Sequence, residues 1–300
     1  MSEKALPNKM LWTGITQSKR NRARFTLTLK LVFAFFVLGF TFFPVLWTVS
    51  AAFNPTSGLS GQQLIPNRPT LEHFMEILTQ RPFALWIFNS FKISLISTVL
   101  SVLMTTLAAF SFSRFRFKLR EPLLLLVLLV QVFPALLAMT ALYALMRQIG
   151  EYLPWLGINS HGGLILLYMG GALGLNVWLM KGFFDSIPRD LDESAMIDGA
   201  SHWQIFWWII FPLARPIIAV IAILTFVGTY SDWALARIMI QDQQLFTLML
   251  GLQQFVQFDY GQNWGAYAAG AVLGALPIVL IYIILQDYII GGLTAGAVKG

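Results

Sequence analysis

Residues 266–289 read AYAAGAVLGALPIVLIYIILQDYI, a run with one charged residue, Asp287. A helix needs about 20 mostly apolar residues to cross the ~30 Å hydrocarbon core of a bilayer, and this run is long enough. A membrane β-barrel would need segments of about ten residues that alternate in and out, and no such alternation is present. The stretch reads as a membrane-spanning helix, and the fold class as all-α.

Five more runs qualify on the same grounds: 27–53, 86–112, 123–145 with Pro134 inside it, 163–180 and 216–236. The chain is therefore expected to be a polytopic membrane protein with six spans. Composition agrees. Of 300 residues, 57% are hydrophobic and 11% charged, against about 25% charged in an ordinary soluble domain. The first apolar run begins near Thr26 and exceeds the roughly 7–15 residues of a secretory signal core. The absence of Cys excludes disulfides, thiolate catalysis and Cys-based metal sites. His73, His161 and His202 are far apart in sequence, and no metal-ligand spacing is visible.

The net charge of +6 raises the question of nucleic acid. Here the cations sit in short loops beside apolar runs, which is a topology signal. Fifteen of the 20 Lys and Arg fall on one side: before and at the start of the first span, between spans two and three (Arg114, Arg116, Lys118, Arg120), after span four (Lys181, Arg189, Arg215) and in the tail. Five fall on the other. By the positive-inside rule both termini are cytoplasmic. No internal repeat or low-complexity tract appears. The expected organisation is a cytoplasmic segment 1–26, a six-helix domain 27–290 and a cytoplasmic tail 291–300.

The longest cytoplasmic connection, 181–216, has internal structure. Pro188 followed by Asp190, Asp192 and Glu193 suits the positive end of a helix dipole. Gly199 suits the left-handed geometry that ends helices, and Ser201 is an N-cap candidate for a second helix, 202–210. Trp203, Phe206, Trp207 and Ile210 lie at helical spacing and predict one apolar stripe. On pattern alone, an interfacial amphipathic hairpin that only tethers two spans fits equally well.

Glu193-Ser194-Ala195-Met196-Ile197-Asp198-Gly199, then nine residues, then Ile209-Ile210-Phe211-Pro212, resembles the EAA loop of binding-protein-dependent ABC importer permeases. The family pattern is Glu-Ala-Ala, three residues, Gly, nine residues, Ile-x-Leu-Pro. Ser194 departs from it at an alanine position and Phe211 at the leucine. Phe133-Pro134-Ala135, Ala141–Leu145, Gly150-Glu151-Tyr152, Asn159–Gly163 and the Gly- and Ala-rich end 292–300 are similar to the G-type permease subunits of maltose/maltodextrin importers.

The resemblance implies a set of partners: a second, F-type permease, an ATPase dimer, a soluble sugar-binding protein and the lipid of the bacterial inner membrane, with no nucleic acid. It implies no cofactor on this chain, ATP and Mg being held by the ATPase. It also implies that the loop at about 187–212 docks on that ATPase through Glu193, Ser194, Ala195, Asp198, Gly199, Ala200, Ile209 and Pro212, with Ala195 and Ala200 permitting close approach. The tail, read as a flexible small-residue strip, would contact the ATPase through Thr294, Gly296 and Lys299. The outer loop would face the binding protein through Gln253, Gln254, Phe255, Tyr260 and Trp264.

The rival readings are a permease for another ABC cargo, an ion-coupled secondary transporter and a membrane-embedded enzyme. The second would show paired half-repeats and a mid-membrane carboxylate, and the third a cluster of titratable groups. None is evident. Asp232, Asp287 and Lys92 lie near span ends. Asn89, Asn176, Gln131 and Thr229 suit either the lining of a pathway or bonds between neighbouring helices, the commoner use, and Gly170, Gly171 and Gly174 suit close helix contact in span four. A Walker A loop ends in Gly-Lys-Ser/Thr, and the chain has no Gly-Lys pair, so an ATP site of that type is absent from it.

Overall fold

A computed structural model describes residues 9–58, 61–257 and 262–297. Among them there is no strand. The elements are α1 (Lys9–Phe53), α2 (Glu72–Gln80), α3 (Phe83–Arg114), α4 (Arg120–Val132), α5 (Ala135–Tyr152), α6 (His161–Ser186), α7 (Asp190–Ile197), α8 (His202–Ile205), a π-helical turn Phe206–Ile210, α9 (Phe211–Leu213), α10 (Arg215–Tyr230), α11 (Ala234–Met239), α12 (Leu248–Gln253) and α13 (Trp264–Ala297). Four helices are long and apolar enough to cross a membrane: Ala23–Phe53, Phe83–Arg114, His161–Ser186 and Trp264–Tyr288. Two bent pairs, residues 120–152 and 202–230, bring the total to six when each counts as one span.

Helix α3 is the central post, packed mainly against α6 and α10. Its sequence explains why. Ser90, Ser94, Ser97, Ser101, Thr105, Ala109 and Ser113 recur every three or four residues, and all are buried. In lipid, apolar area gives little drive for helices to associate, so small side chains that let backbones approach do most of the work. Lipid-facing positions on the same helix are Phe88, Leu95, Val99 and Leu103, all exposed.

Two clusters of large side chains cap this post. At one end Phe83, Trp86, Leu164, Phe226, Tyr230, Met239 and Leu248 pack together. At the other, Phe110, Met180, Phe184, Ile205, Phe206, Ile210 and Ile221 do so. Polar side chains sew the first end to its connections. Asn89 Nδ2 donates to the carbonyls of Gln244 and Phe246, at 3.0 and 3.1 Å. Ser90 Oγ accepts from the Leu248 amide at 2.7 Å. Asn176 bonds Thr225 at 3.2 Å and Gln131 bonds the Gly171 carbonyl at 3.3 Å, so these two amides do join neighbouring helices, whereas Asn89 holds a connection. Thr229 bonds only its own helix. Asp232, by contrast, accepts from the Tyr168 hydroxyl at 2.8 Å and from the amides of Leu235 and Ala236, capping α11.

The structure departs from the sequence expectation in four places. Residues 123–145 do not form one straight span. Pro134 has no N–H, Phe133 and Pro134 are both extended, and the axes of 120–132 and 137–152 meet at 108°. The fifth span, expected over 216–236, ends at Tyr230, because Ser231–Trp233 turn before α11 begins. Of the three glycines in span four only Gly174 is a close contact. A Cβ there would lie 1.8 Å from Gln131 Nε2, whereas at Gly170 and Gly171 it would meet open space. The end of the chain, expected as a flexible strip, continues α13 as helix through Ala297, since extending a formed helix fixes one residue per added bond and no Pro intervenes.

Gly251 supplies the corresponding contact at the first end, where a Cβ would fall 2.1 Å from the Trp86 ring. Gly251→Val is therefore expected to cost about 1–3 kcal/mol through overpacking. Gly171→Ala should cost nothing by that mechanism. Thermal unfolding of the two variants in detergent checks the contrast.

Candidate functional site

The stretch joining α6 to α10 forms a helical hairpin whose every turn bond is accounted for. Helix α7 starts directly after Pro188, with Asp190, Asp192 and Glu193 in its first turn. It ends in a Schellman motif: the Gly199 amide donates to the Met196 carbonyl at 3.0 Å, and the Ala200 amide to the Ala195 carbonyl at 2.9 Å. Gly199 sits at φ +85°, in the region that side chains with a Cβ avoid. Ser201 then opens α8 with a full capping box. Its hydroxyl accepts from the Gln204 amide, and the Gln204 side chain accepts from the Ser201 amide at 2.8 Å. The second helix runs on past Ile210 to Leu213 through the π turn, and meets α10 at 76°.

Burial divides the hairpin into an inner and an outer face. Ile205, Phe206 and Ile210 are buried in the second cluster, and Trp207 packs beside them. Trp203, expected in the same stripe, is 60% exposed, while Ile205, outside that stripe, is buried. Ala195, Ala200 and Ile209 are half-buried and pack against the same cluster. The outer face carries Glu193, Ser194, Asp198 and Gly199, together with the exposed apolar side chains of Met196, Ile197, Trp203 and Trp208. The Ser194 hydroxyl donates to the Asp190 carbonyl at 2.7 Å, which leaves its exposed oxygen as an acceptor. Pro212 is half-buried in the first turn of α9.

Two residues outside the expected set hold the hairpin from beneath. Asp192 and Arg114 pair at 2.6 Å, each side chain 7% exposed. Burial pushes the Asp192 carboxyl above its ordinary range, opposed by the positive charges of Arg114 and Arg189. These side chains, with Phe110, Phe115, Glu193, Met196, His202 and Ile205, line a small cavity of about 90 Å³. Three helices, α4, α5 and α6, lie between the partners in sequence, so neither residue carried a local signal beyond its charge.

At the opposite end, the segment expected to face a binding protein is more embedded than its composition implies. Phe255 is 3% exposed, edge-on to Trp86 and under the Arg81 guanidinium at 5.6 Å. It is a core residue, and its apolar ring explains why. Gln253 and Gln254 are half-buried, and Gln253 accepts a bond from the Trp233 indole. Trp264 is half-buried against Tyr267, its amide donating to the Ser57 carbonyl at 2.7 Å. Asn263 donates to Glu76 at 2.9 Å, joining this segment to α2. Tyr260 and Lys299 lie outside the described residues, and Thr294 and Gly296 fall in the last turns of α13. Among the described residues no group of His, Asp and Glu is arranged to hold a metal ion.

Comparison with known proteins adds an independent line. Residues 98–294 match the family model described as "binding-protein-dependent transport system inner membrane component". The chain is 40% identical to the maltose/maltodextrin transport system permease protein MalG of Vibrio vulnificus, over 96% of this chain and all of that one. It is 42% identical to the galactooligosaccharides transport system permease protein GanQ of Bacillus subtilis, over 91% of this chain and 96% of that one. A crystal structure of a bacterial ABC transporter that imports the acidic polysaccharide alginate contains a chain of the same fold, with a TM-score of 0.71 at 19% identity, covering 95% of this chain and 99% of that one.

The hairpin geometry makes its own prediction. Gly199→Val forces a β-branched residue into left-handed backbone and is expected to cost about 1–2 kcal/mol. Ser201→Ala removes the cap at a cost of about 1 kcal/mol. Both should raise amide hydrogen exchange across 199–205 while leaving exchange in α3 unchanged.

Proposed function

The chain belongs to the family of binding-protein-dependent transport system inner membrane components, and on that premise we propose that it imports an oligosaccharide, with the 187–212 hairpin as the lever on which a separate ATPase acts. Members of the family are transport subunits, and this chain is a permease rather than an enzyme. Its work is to form part of a path and to move.

The observation that carries the reading is the hairpin's construction. It is closed by a full set of turn bonds at Gly199 and Ser201, and its inner face is bound into a cluster shared with α3, α6 and α10. A load applied to its outer face at Glu193, Ile197 or Trp208 is thus passed to three helices rather than absorbed in a loose connection. Docking by an ATPase subunit suits that face, which offers the carboxylates of Glu193 and Asp198 among exposed apolar side chains. ATP and Mg then belong to the partner.

An oligosaccharide cargo is supported by the two relatives named above. They carry different sugars by name, so the class is shared and the individual sugar is not. A soluble binding protein would deliver it to the end of the bundle that bears residues 253–264. A second permease subunit would complete the path. The cation bias supports placing both termini and the hairpin in the cytoplasm, leaving 54–69, 150–163 and 241–265 outside. The tail from Thr294 to Lys299 is read as a further ATPase contact.

Glu193→Lys reverses the charge on the outer face without touching the inner cluster. It is expected to leave the protein inserted at normal abundance but to abolish uptake driven by ATP in proteoliposomes. Normal transport by this variant would remove the lever reading. Orientation is checked separately. The chain has no Cys, so Ile197→Cys introduces a sole thiol on an exposed site. A membrane-impermeant maleimide should label it in inside-out vesicles and not in intact spheroplasts.

A further inference from the structure

We infer that Arg114 is a positioning residue that clamps the hairpin to the ends of α3 and α6, so that movement of the hairpin is delivered to the spans as a rigid displacement. The inference rests on the lever reading above and gives that lever its fulcrum.

Arg114 is the last residue of α3. Its guanidinium reaches three targets on two other segments. Nε faces Asp192 Oδ2 of α7 at 2.6 Å. Nη1 donates to the Phe184 carbonyl at 3.1 Å, and Nη2 to the Ile187 carbonyl at 3.2 Å. Those carbonyls belong to the end of α6, where helix geometry leaves oxygens without an intrahelical donor. The planar fork donates to both carbonyls along fixed N–H directions while its charge lies against the carboxylate, a combination that the point charge of a lysine cannot reproduce.

A second bond runs the other way. Arg189, at the start of the hairpin, donates from Nη2 to the Ser113 carbonyl at 2.9 Å, and the Ser113 hydroxyl donates to Asp185 of α6 at 2.6 Å. The end of α3 is thereby joined both to the end of α6 and to the first turn of α7. The chain between α6 and α7 is only Ile187–Arg189. Without the clamp those residues form a hinge, and a hinge there would let the hairpin tilt without moving the spans.

Stability alone does not account for burying these charges. Taking both ions out of water offsets much of their attraction, and well-packed apolar side chains can often replace such a pair without loss. What an apolar pair lacks is direction. It would fill the space while leaving the angle between hairpin and spans unspecified. The clamp and a merely structural role therefore differ in a measurable way.

The test uses the complete complex of both permeases, ATPase and binding protein in liposomes, with three variants: Arg114→Met/Asp192→Leu, Arg114→Lys and Glu193→Lys. Two readouts are taken. One is the ratio of ATP hydrolysis with and without binding protein. The other is the width of the distance distribution between nitroxide labels at Asp190→Cys and Val99→Cys. The apolar double variant should assemble and melt close to the parent. Its stimulation ratio should nevertheless fall about fivefold or more, the scale of a typical coupling between sites, and its distance distribution should broaden. Arg114→Lys, which keeps the charge and loses the fork, should shift both readouts in the same direction and decides the matter if the double variant does not assemble. Unchanged stimulation and width in the Arg114 variants, with Glu193→Lys uncoupled, would overturn the clamp and leave the lever standing. Unchanged values in all three would remove the lever as well.

Discussion

Within a bilayer no water is present to satisfy a backbone N–H or C=O, and each group left unpaired there costs several kcal/mol. That constraint sets the form of this protein. Among the described residues the long apolar runs are helical, and the exposed turn at Phe133–Pro134 is the departure within one of them. The break at Pro134 is the most demanding case. There the chain loses one donor, and the Gln131 side chain beside it reaches across to a carbonyl on α6. The same constraint explains the seven small residues down α3. Once backbones are self-satisfied, contact between helices depends on how closely they approach, and serine and alanine allow more of that than leucine does.

Much of this was legible from the chain alone. The spans are long apolar runs, and length and composition suffice to find them. The hairpin was visible because glycine, serine and proline have strong local preferences, so Gly199, Ser201 and Pro188 each stand where local rules place them. The similarity of 187–212 to a known loop was equally local. What stayed hidden depends on distance in sequence. Nothing near Arg114 says that its partner is Asp192, and each on its own reads as a topology charge or a helix-dipole charge. Phe255 sits among glutamines and reads as loop until Trp86 and Arg81 are seen around it. Gly170, Gly171 and Gly174 look alike in sequence. They separate only when Gln131 is found facing one of them.

The two ends of the bundle solve different problems. The end bearing residues 241–257 combines an apolar cluster with many separate polar bonds from side chains of several elements. It is a surface assembled from several connections, suited to presenting a shape. The hairpin end is held by one continuous apolar cluster with charged groups set into it at a single junction. It is suited to moving as a unit. The identity of the sugar rests on relatives and not on any side chain described above.

The π turn at Phe206–Ile210 has a consequence for how such a chain varies over time. A π turn accommodates one residue more than an α-helix of equal rise, so it behaves as an insertion absorbed into the helix. Losing one residue there would allow regular helix to re-form, and every later position would rotate by about 100° about the axis. Pro212 and the start of α10 would then face away from the cluster that now receives them. Between Gly199 and Pro212 the chain is therefore free to drift in residue type at exposed sites such as Trp208, but not in length. Gaps in this interval are the changes that selection would remove first.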